Sequence, residues 1–290
     1  MNYRHHFHAG NFADVMKHAL LVGLVRAMQK KEKGFLYLDT HAGRGRYDLS
    51  RAATGDSRER EPEWPLGIGR LWAEGGPERP SALTDYLGLV RECDRQGGNL
   101  EGAPRFYPGS PWLVRHLARP FDRLALCERH PAECAALREE LGWAAGVSIH
   151  ELDGYVSLRA MLPPPERRAL VLIDPPFEAQ DEFSQITTAL REGLRRLPGG
   201  VFAVWYPLTG RARVDDFFTA VRALRPPPTL ACELAVLRES SPVKMKGCGL
   251  MLLNPPWQFE ALARPVLAHL ASVLAQEPGG VGRVEWIVPE

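Results

Sequence analysis

The chain has 290 residues, a formal net charge of +1 and no apolar stretch long enough to span a bilayer. Its start, Met1-Asn2-Tyr3-Arg4-His5-His6-Phe7-His8, lacks the apolar run of a secretion signal, so a cytoplasmic protein is expected. Near-neutral charge does not advertise a nucleic-acid binder and does not exclude one, because binding needs a local basic surface rather than a basic total. Cys93, Cys127, Cys134, Cys232 and Cys248 are odd in number and form no CxxC pair, which argues against a disulfide framework and a zinc site.

In chain order, residues 11–29 place Val15, Ala19, Val22 and Val25 at helical spacing, and this helix leads into an apolar strand at 35–39. The next segment, 46–105, holds Trp64, Leu71, Trp72, Leu83, Tyr86, Leu87 and Val90 but no convincing strand, and reads as an inserted, mainly helical subdomain. The remainder, 1–45 with 106–290, forms the main domain. Ser110-Pro111 opens a helix at 110–117, with Ser at the N-cap position and Pro at the first helical position. Apolar strands follow at 124–128, 147–153, 169–174, 201–205, 230–237 and 250–254, with helices at 182–196 and 214–224 between them. Continuous apolar runs of this kind are buried on both faces, and the alternation predicts a doubly wound α/β fold.

Ligands of such a sheet bind at the carboxyl ends of the strands. The first strand runs into Asp39-Thr40-His41-Ala42-Gly43-Arg44-Gly45, a partial match to the acidic-x-Gly-x-Gly-x-Gly loop of methyltransferases, with His41 at the first glycine; an ordinary strand-to-helix turn fits equally well. Glu128 ends the second strand, where a carboxylate can accept from both ribose hydroxyls. Asp153-Gly154 ends the third, where an Asp can accept from an adenine amino group, or simply form a turn.

The fourth strand ends in Asp174-Pro175-Pro176-Phe177, a far more specific pattern. The amino nitrogen of adenine is a poor nucleophile because its lone pair is delocalised into the ring. A carboxylate oxygen and a backbone carbonyl that accept both N–H groups favour a more tetrahedral nitrogen and direct its lone pair at a methyl-sulfonium. Two prolines fix φ, so Asp174 and the Pro175 carbonyl can converge. Phe177 offers a ring for base stacking, worth roughly 1–3 kcal/mol. These residues predict transfer of a methyl group from S-adenosylmethionine to adenine. A near-copy, Asn254-Pro255-Pro256-Trp257, also ends a strand, but its late position suggests the far edge of the sheet and a structural turn. The histidines lack an accompanying Cys or acidic spacing, so no metal site is expected. Cofactor or RNA contacts fit His18 and His41, and solvent exposure fits His5 and His6. The arginine clusters (Arg44, Arg46, Arg51, Arg58 and Arg60; Arg167-Arg168; Arg195-Arg196) read as solvated faces.

The chain resembles the J-type adenine-N6 methyltransferases of large-subunit (23S) ribosomal RNA. The resemblance runs from Tyr3-Arg4-His5-His6-Phe7-His8-Ala9-Gly10-Asn11-Phe12-Ala13-Asp14-Val15-Met16-Lys17-His18 to Trp286-Ile287-Val288-Pro289-Glu290. It passes through Phe35-Leu36-Tyr37-Leu38-Asp39-Thr40-His41-Ala42-Gly43, Tyr107-Pro108-Gly109-Ser110-Pro111 and Leu172-Ile173-Asp174-Pro175-Pro176. It implies a Rossmann-like methyltransferase sheet with a small inserted helical subdomain. It further implies S-adenosylmethionine contacts at His18, His41, Ser110, Glu128, Asp153, Gly154 and Asp174, with Asp174 catalytic and a catalytic role for Tyr3. The partner implied is 23S ribosomal RNA, naked or partly assembled, and nothing suggests more than a monomer. Phe177 stands where the family usually has Tyr, so stacking survives and a hydroxyl is lost.

Three alternatives stay in view. A DNA adenine-N6 methyltransferase would share the catalytic residues, but the 46–105 segment is small for groove readout. A non-catalytic RNA-binding scaffold would not need Asp39, Glu128, Asp153 and Asp174 together. A dinucleotide oxidoreductase would carry a full Gly-x-Gly-x-x-Gly.

Overall fold

The structure is a computed structural model that describes residues 7–53, 61–73 and 78–290. Tyr3, His5 and His6, for which roles or exposure were expected, lie outside the described residues, as do Arg58 and Arg60. The strands are β1 (Leu36–Asp39), β2 (Arg46–Asp48), β3 (Phe106–Pro108), β4 (Arg123–Cys127), β5 (Val147–His150), β6 (Ala169–Ile173), β7 (Val201–Leu208), β8 (Thr229–Ala235), β9 (Gly247–Leu253) and β10 (Val281–Val288). The helices are α1 (Phe12–Gln29), α2 (Ile68–Trp72), α3 (Ser81–Gln96), α4 (Ser110–Leu117), α5 (Pro131–Leu141), α6 (Gly154–Met161), α7 (Glu182–Arg196), α8 (Arg211–Ala223) and α9 (Phe259–Leu274).

Eight strands form one sheet in the order β10-β8-β9-β7-β6-β1-β4-β5. From β5 to β7 the neighbours are parallel; β9, β8 and β10 add antiparallel pairings. The apolar strands β1, β6 and β9 are buried throughout, as their sequences predict. The two edges are not: β5 is half-exposed, and β10 alternates along its length. That alternation is the pattern of an edge strand with one wetted face. Helices cover both faces. Side chains of α6, α7 and α8 pack one face, and those of α1, α3, α4, α5 and α9 pack the other, making a doubly wound three-layer fold.

Helix α1 is buried on every side from Phe12 to Val25. A helix without a polar face belongs in a core. It packs on α3, α4, α9 and β9, so closely that a Cβ on Gly23 would sit 2.9 Å from Leu262. The segment expected as an insertion leaves the sheet through β2 and returns through β3, which pair with each other. Both strands have three residues, too few to show a period in sequence. Leu83, Tyr86, Leu87 and Val90 of α3 belong to the same buried cluster as α1. All five cysteines are free and buried, and no helix among the described residues is long and apolar enough to cross a membrane.

Candidate active site

The chain order of the sheet reverses at β1, which has β4 on one side and β6 on the other. The loops after β1 and β6 therefore diverge and leave a crevice, the usual ligand position in such sheets. A cavity of about 540 Å³ occupies it. His18, His41, Ser110, Glu128, Asp153, Gly154, Asp174, Pro175 and Phe177, named from strand ends and resemblance, all line this one cavity.

One end is built from the loops after β1, β4 and β5. The carboxylate of Glu128 accepts from the Gly43 N–H (2.8 Å) and the His130 N–H (2.7 Å). Asp153 caps α6 by accepting from the Tyr155 N–H at 3.0 Å and pairs with Arg129 at 3.1 Å. Gly154 follows because a Cβ there would meet the Thr40 carbonyl oxygen at 2.0 Å. Asp39 is fully buried and accepts from the hydroxyls of Tyr37 (2.7 Å) and Ser110 (2.6 Å). Burial pushes its carboxyl up to about 6, against the pull of those two hydrogen bonds. Burial drives the His41 imidazole down to about 4, against the carboxylates of Asp174 and Asp153, so it is neutral at neutral pH.

Ser110 corrects a reading from sequence. Gly109 is the N-cap of α4, and Ser110 is the first helical residue. Its hydroxyl serves Asp39 and not the helix amides. The Ser-Pro pair suggested a cap because that pattern is shared by caps and by N1-N2 positions.

The other end holds Asp174 and a residue given no role from sequence. The Lys17 ammonium donates to Asp14 Oδ1 at 2.9 Å and to Asp174 Oδ2 at 2.6 Å. The Asn11 side chain caps α1 by accepting from the Ala13 and Asp14 N–H groups. Asp14 also accepts from the Gly10 N–H at 3.0 Å, so the first turn of α1 is fixed around Lys17. Burial alone would lower the Lys17 ammonium, but the carboxylates of Asp14 and Asp174 outweigh it and hold its pKa well above the usual range. One residue on, His18 Nδ1 lies 2.8 Å from the Tyr107 hydroxyl, itself 2.9 Å from that of Tyr86. Phe177 takes a left-handed φ of 51°, uncommon for a bulky residue. Its ring meets Phe183 and Trp205 edge-on, at 5.1 and 5.6 Å between centroids.

The near-copy lies elsewhere, and for a different reason than expected. Strand β9 is not at the sheet's edge but beside β7. It runs antiparallel to β7, with Leu253 opposite Phe202, so Asn254 emerges at the end of the sheet opposite Asp174. There its amide donates to the carbonyls of Pro198 (2.7 Å) and Gly200 (2.9 Å). The left-handed residue in this copy is Asn254 itself, at φ 55°, so the two turns differ in backbone as well as place.

The sequence matches the family described as ribosomal RNA large subunit methyltransferase D, RlmJ, over residues 32–288. The chain belongs to the RlmJ family. It is 38% identical over 290 residues to the ribosomal RNA large subunit methyltransferase J of Haemophilus influenzae and to that of Escherichia coli, with all of each chain covered. The crystal structure of protein LPL1258 from Legionella pneumophila has 33% identity and a TM-score of 0.84, and the match covers 96% of this chain and 98% of that one. This RlmJ-family chain is therefore a ribosomal RNA methyltransferase with a Rossmann-like sheet, and its methyl donor is S-adenosylmethionine. Asp14 and Lys17 lie upstream of the residues that the family match covers. Their role was invisible in sequence because the partner of Lys17 lies 157 positions away.

Proposed function

We propose that this chain methylates the N6 amino group of an adenine in 23S ribosomal RNA, with Asp174 as the catalytic residue. The observation that carries the reading is the Lys17–Asp174 contact of 2.6 Å beside the Phe177 ring, at one end of a cavity whose other end is acidic. The cavity suits S-adenosylmethionine on its own geometry. Glu128, already oriented by two backbone N–H groups, would hold the ribose, and Asp153 the adenine amino group. Gly154 lets the start of α6 approach the Thr40 carbonyl, which draws the loops after β1 and β5 together at this end. His18, His41 and the uncapped first amides of α4 would surround the methionine portion, where a helix N-terminus favours a carboxylate.

When bound, the cofactor supplies an electrophilic methyl group. The rest belongs to the chain. Lys17 occupies Asp174 Oδ2 and leaves Oδ1 to accept an N6–H. The Pro175 carbonyl accepts the other, and Phe177 stacks on the base, which is flipped out to reach the site. As the N–CH3 bond forms and the S–CH3 bond breaks, N6 loses a proton to Asp174 Oδ1. Phe177 in place of Tyr retains the stacking face, so a hydroxyl there is not essential. The resemblance also implies a catalytic role for Tyr3, which lies outside the described residues. The protein acts as a monomer in the cytoplasm, on naked or partly assembled RNA.

Incubation of the protein with labelled S-adenosylmethionine and 23S ribosomal RNA, followed by nuclease digestion and mass spectrometry, should give N6-methyladenine. Asp174→Ala should lower the rate by roughly 10²–10⁴, the range for a general base, while calorimetry still detects cofactor binding. Label appearing only in DNA would overturn the substrate.

A further inference from the structure

Four of the arginines that stand out in sequence are occupied. Arg44 pairs with Glu133, Arg46 with Glu140 at 3.0 Å, and Arg195 and Arg196 with Glu192. Two other cations differ. Arg213 and Lys244 are exposed, line the catalytic cavity, and have no ion pair among the described residues. Both belong to the Asp174 end. The Arg213 guanidinium lies 5.7 Å from the centroid of Phe183, whose ring contacts Phe177. Lys244 sits on the β8–β9 loop, which is tied to the end of β7 by the Lys246 N–H donating to the Leu208 carbonyl at 2.9 Å.

We propose that Arg213 and Lys244 form a phosphate grip for the RNA strand that carries the target base. This rests on the RNA methyltransferase reading above. A base that enters the cavity leaves its own phosphates outside, at the rim. The target base is placed at the Phe177 end, so the strand that carries it crosses the rim there, although Glu178 and Glu182 also line that end. Unpaired cations are found there. Stacking on Phe183 holds the Arg213 plane still and leaves its N–H fork open for bidentate contact with a phosphate. Lys244 acts as a point charge on a neighbouring phosphate. Neither reads sequence; both fix the register of the strand, as phosphate contacts do.

The test is the salt dependence of kcat/KM on 23S ribosomal RNA for wild type, Arg213→Gln, Lys244→Gln and the double variant. Each contact to a single strand contributes about 0.7 to the slope of log affinity against log salt, so the double variant should lose about 1.4. KM for RNA should rise about tenfold per cation at low salt, with kcat and the calorimetric S-adenosylmethionine affinity unchanged. Arg213→Lys with Lys244→Arg should keep the wild-type slope. An unchanged slope and KM in the double variant overturns the grip, and so does a cofactor affinity that falls in step with the RNA KM. Wild-type protein that labels no RNA overturns the functional reading instead, before any variant is compared.

Discussion

Lys17 holds together two carboxylates that would otherwise repel. Its side chain and that of Asp14 are almost wholly buried, at 7% and 4% exposure. Lys17→Met leaves both acids uncompensated. Breaking a buried pair from one side costs about 3–5 kcal/mol, so this variant should melt at lower temperature and, where folded, lose methyl transfer. Calorimetry with a single-turnover assay checks both. Asp39 and His41 make opposite demands on pH. Asp39 is raised from 3.8 to about 6. Its contribution to stability is therefore full below pH 4 and lost as pH rises to about 6. His41 is lowered from 6.5 to about 4, so its contribution is full above pH 6.5 and lost as pH falls to about 4. The two nearly cancel between pH 4 and 6. His41→Gln should unmask Asp39, giving a Tm that falls relative to wild type as pH rises across that window. Asp39→Asn should give the reverse. Melting curves at half-unit pH steps would show it; parallel curves for all three proteins would refute the assignment.

Among the elements, strand direction decides what a turn can do. The Asn254 turn shares its Pro-Pro with the Asp174 turn but ends an antiparallel strand, so its side chain braces the start of β7. Asn254→Ala removes donors from two carbonyls and places Ala at φ 55°, where Asn is better tolerated. We expect a loss of about 1–3 kcal/mol in stability with specific activity unchanged, measured by urea unfolding and methylation side by side. Chain order alone could not reveal this reversal. The sequence did expose every strand whose faces are both buried, because β1, β6 and β9 are unbroken apolar runs. It hid β10, whose Gly282 and Arg283 interrupt a half-wet edge. The acids at the strand ends were legible because the fold always brings those ends together. Lys17 and Trp205 were not, since each meets the cavity only when α1 and β7 are brought beside it, and neither was Tyr107, which supports His18 from β3 without lining the cavity.

At the scale of the molecule, the helical segment between β2 and β3 is part of the main core. Leu83, Tyr86, Leu87 and Val90 share a cluster with α1, and Tyr86 reaches His18 through Tyr107. Replacing residues 49–104 by a short linker should therefore give aggregated protein, because it strips one side of α1. Size-exclusion chromatography and circular dichroism would test this; a monomeric, cofactor-binding product would show that the segment is dispensable. The buried course of α1 also bears on synthesis. Translation delivers the N-terminal end first, yet α1 is not covered on every side until β9 and α9, near the other end of the chain, join α3 and α4. Lys17 is thus among the first residues made, yet its contact with Asp174 waits on a partner 157 positions later. A chain cut short before α9 keeps an apolar helix in water, which marks it for degradation and denies it a working site.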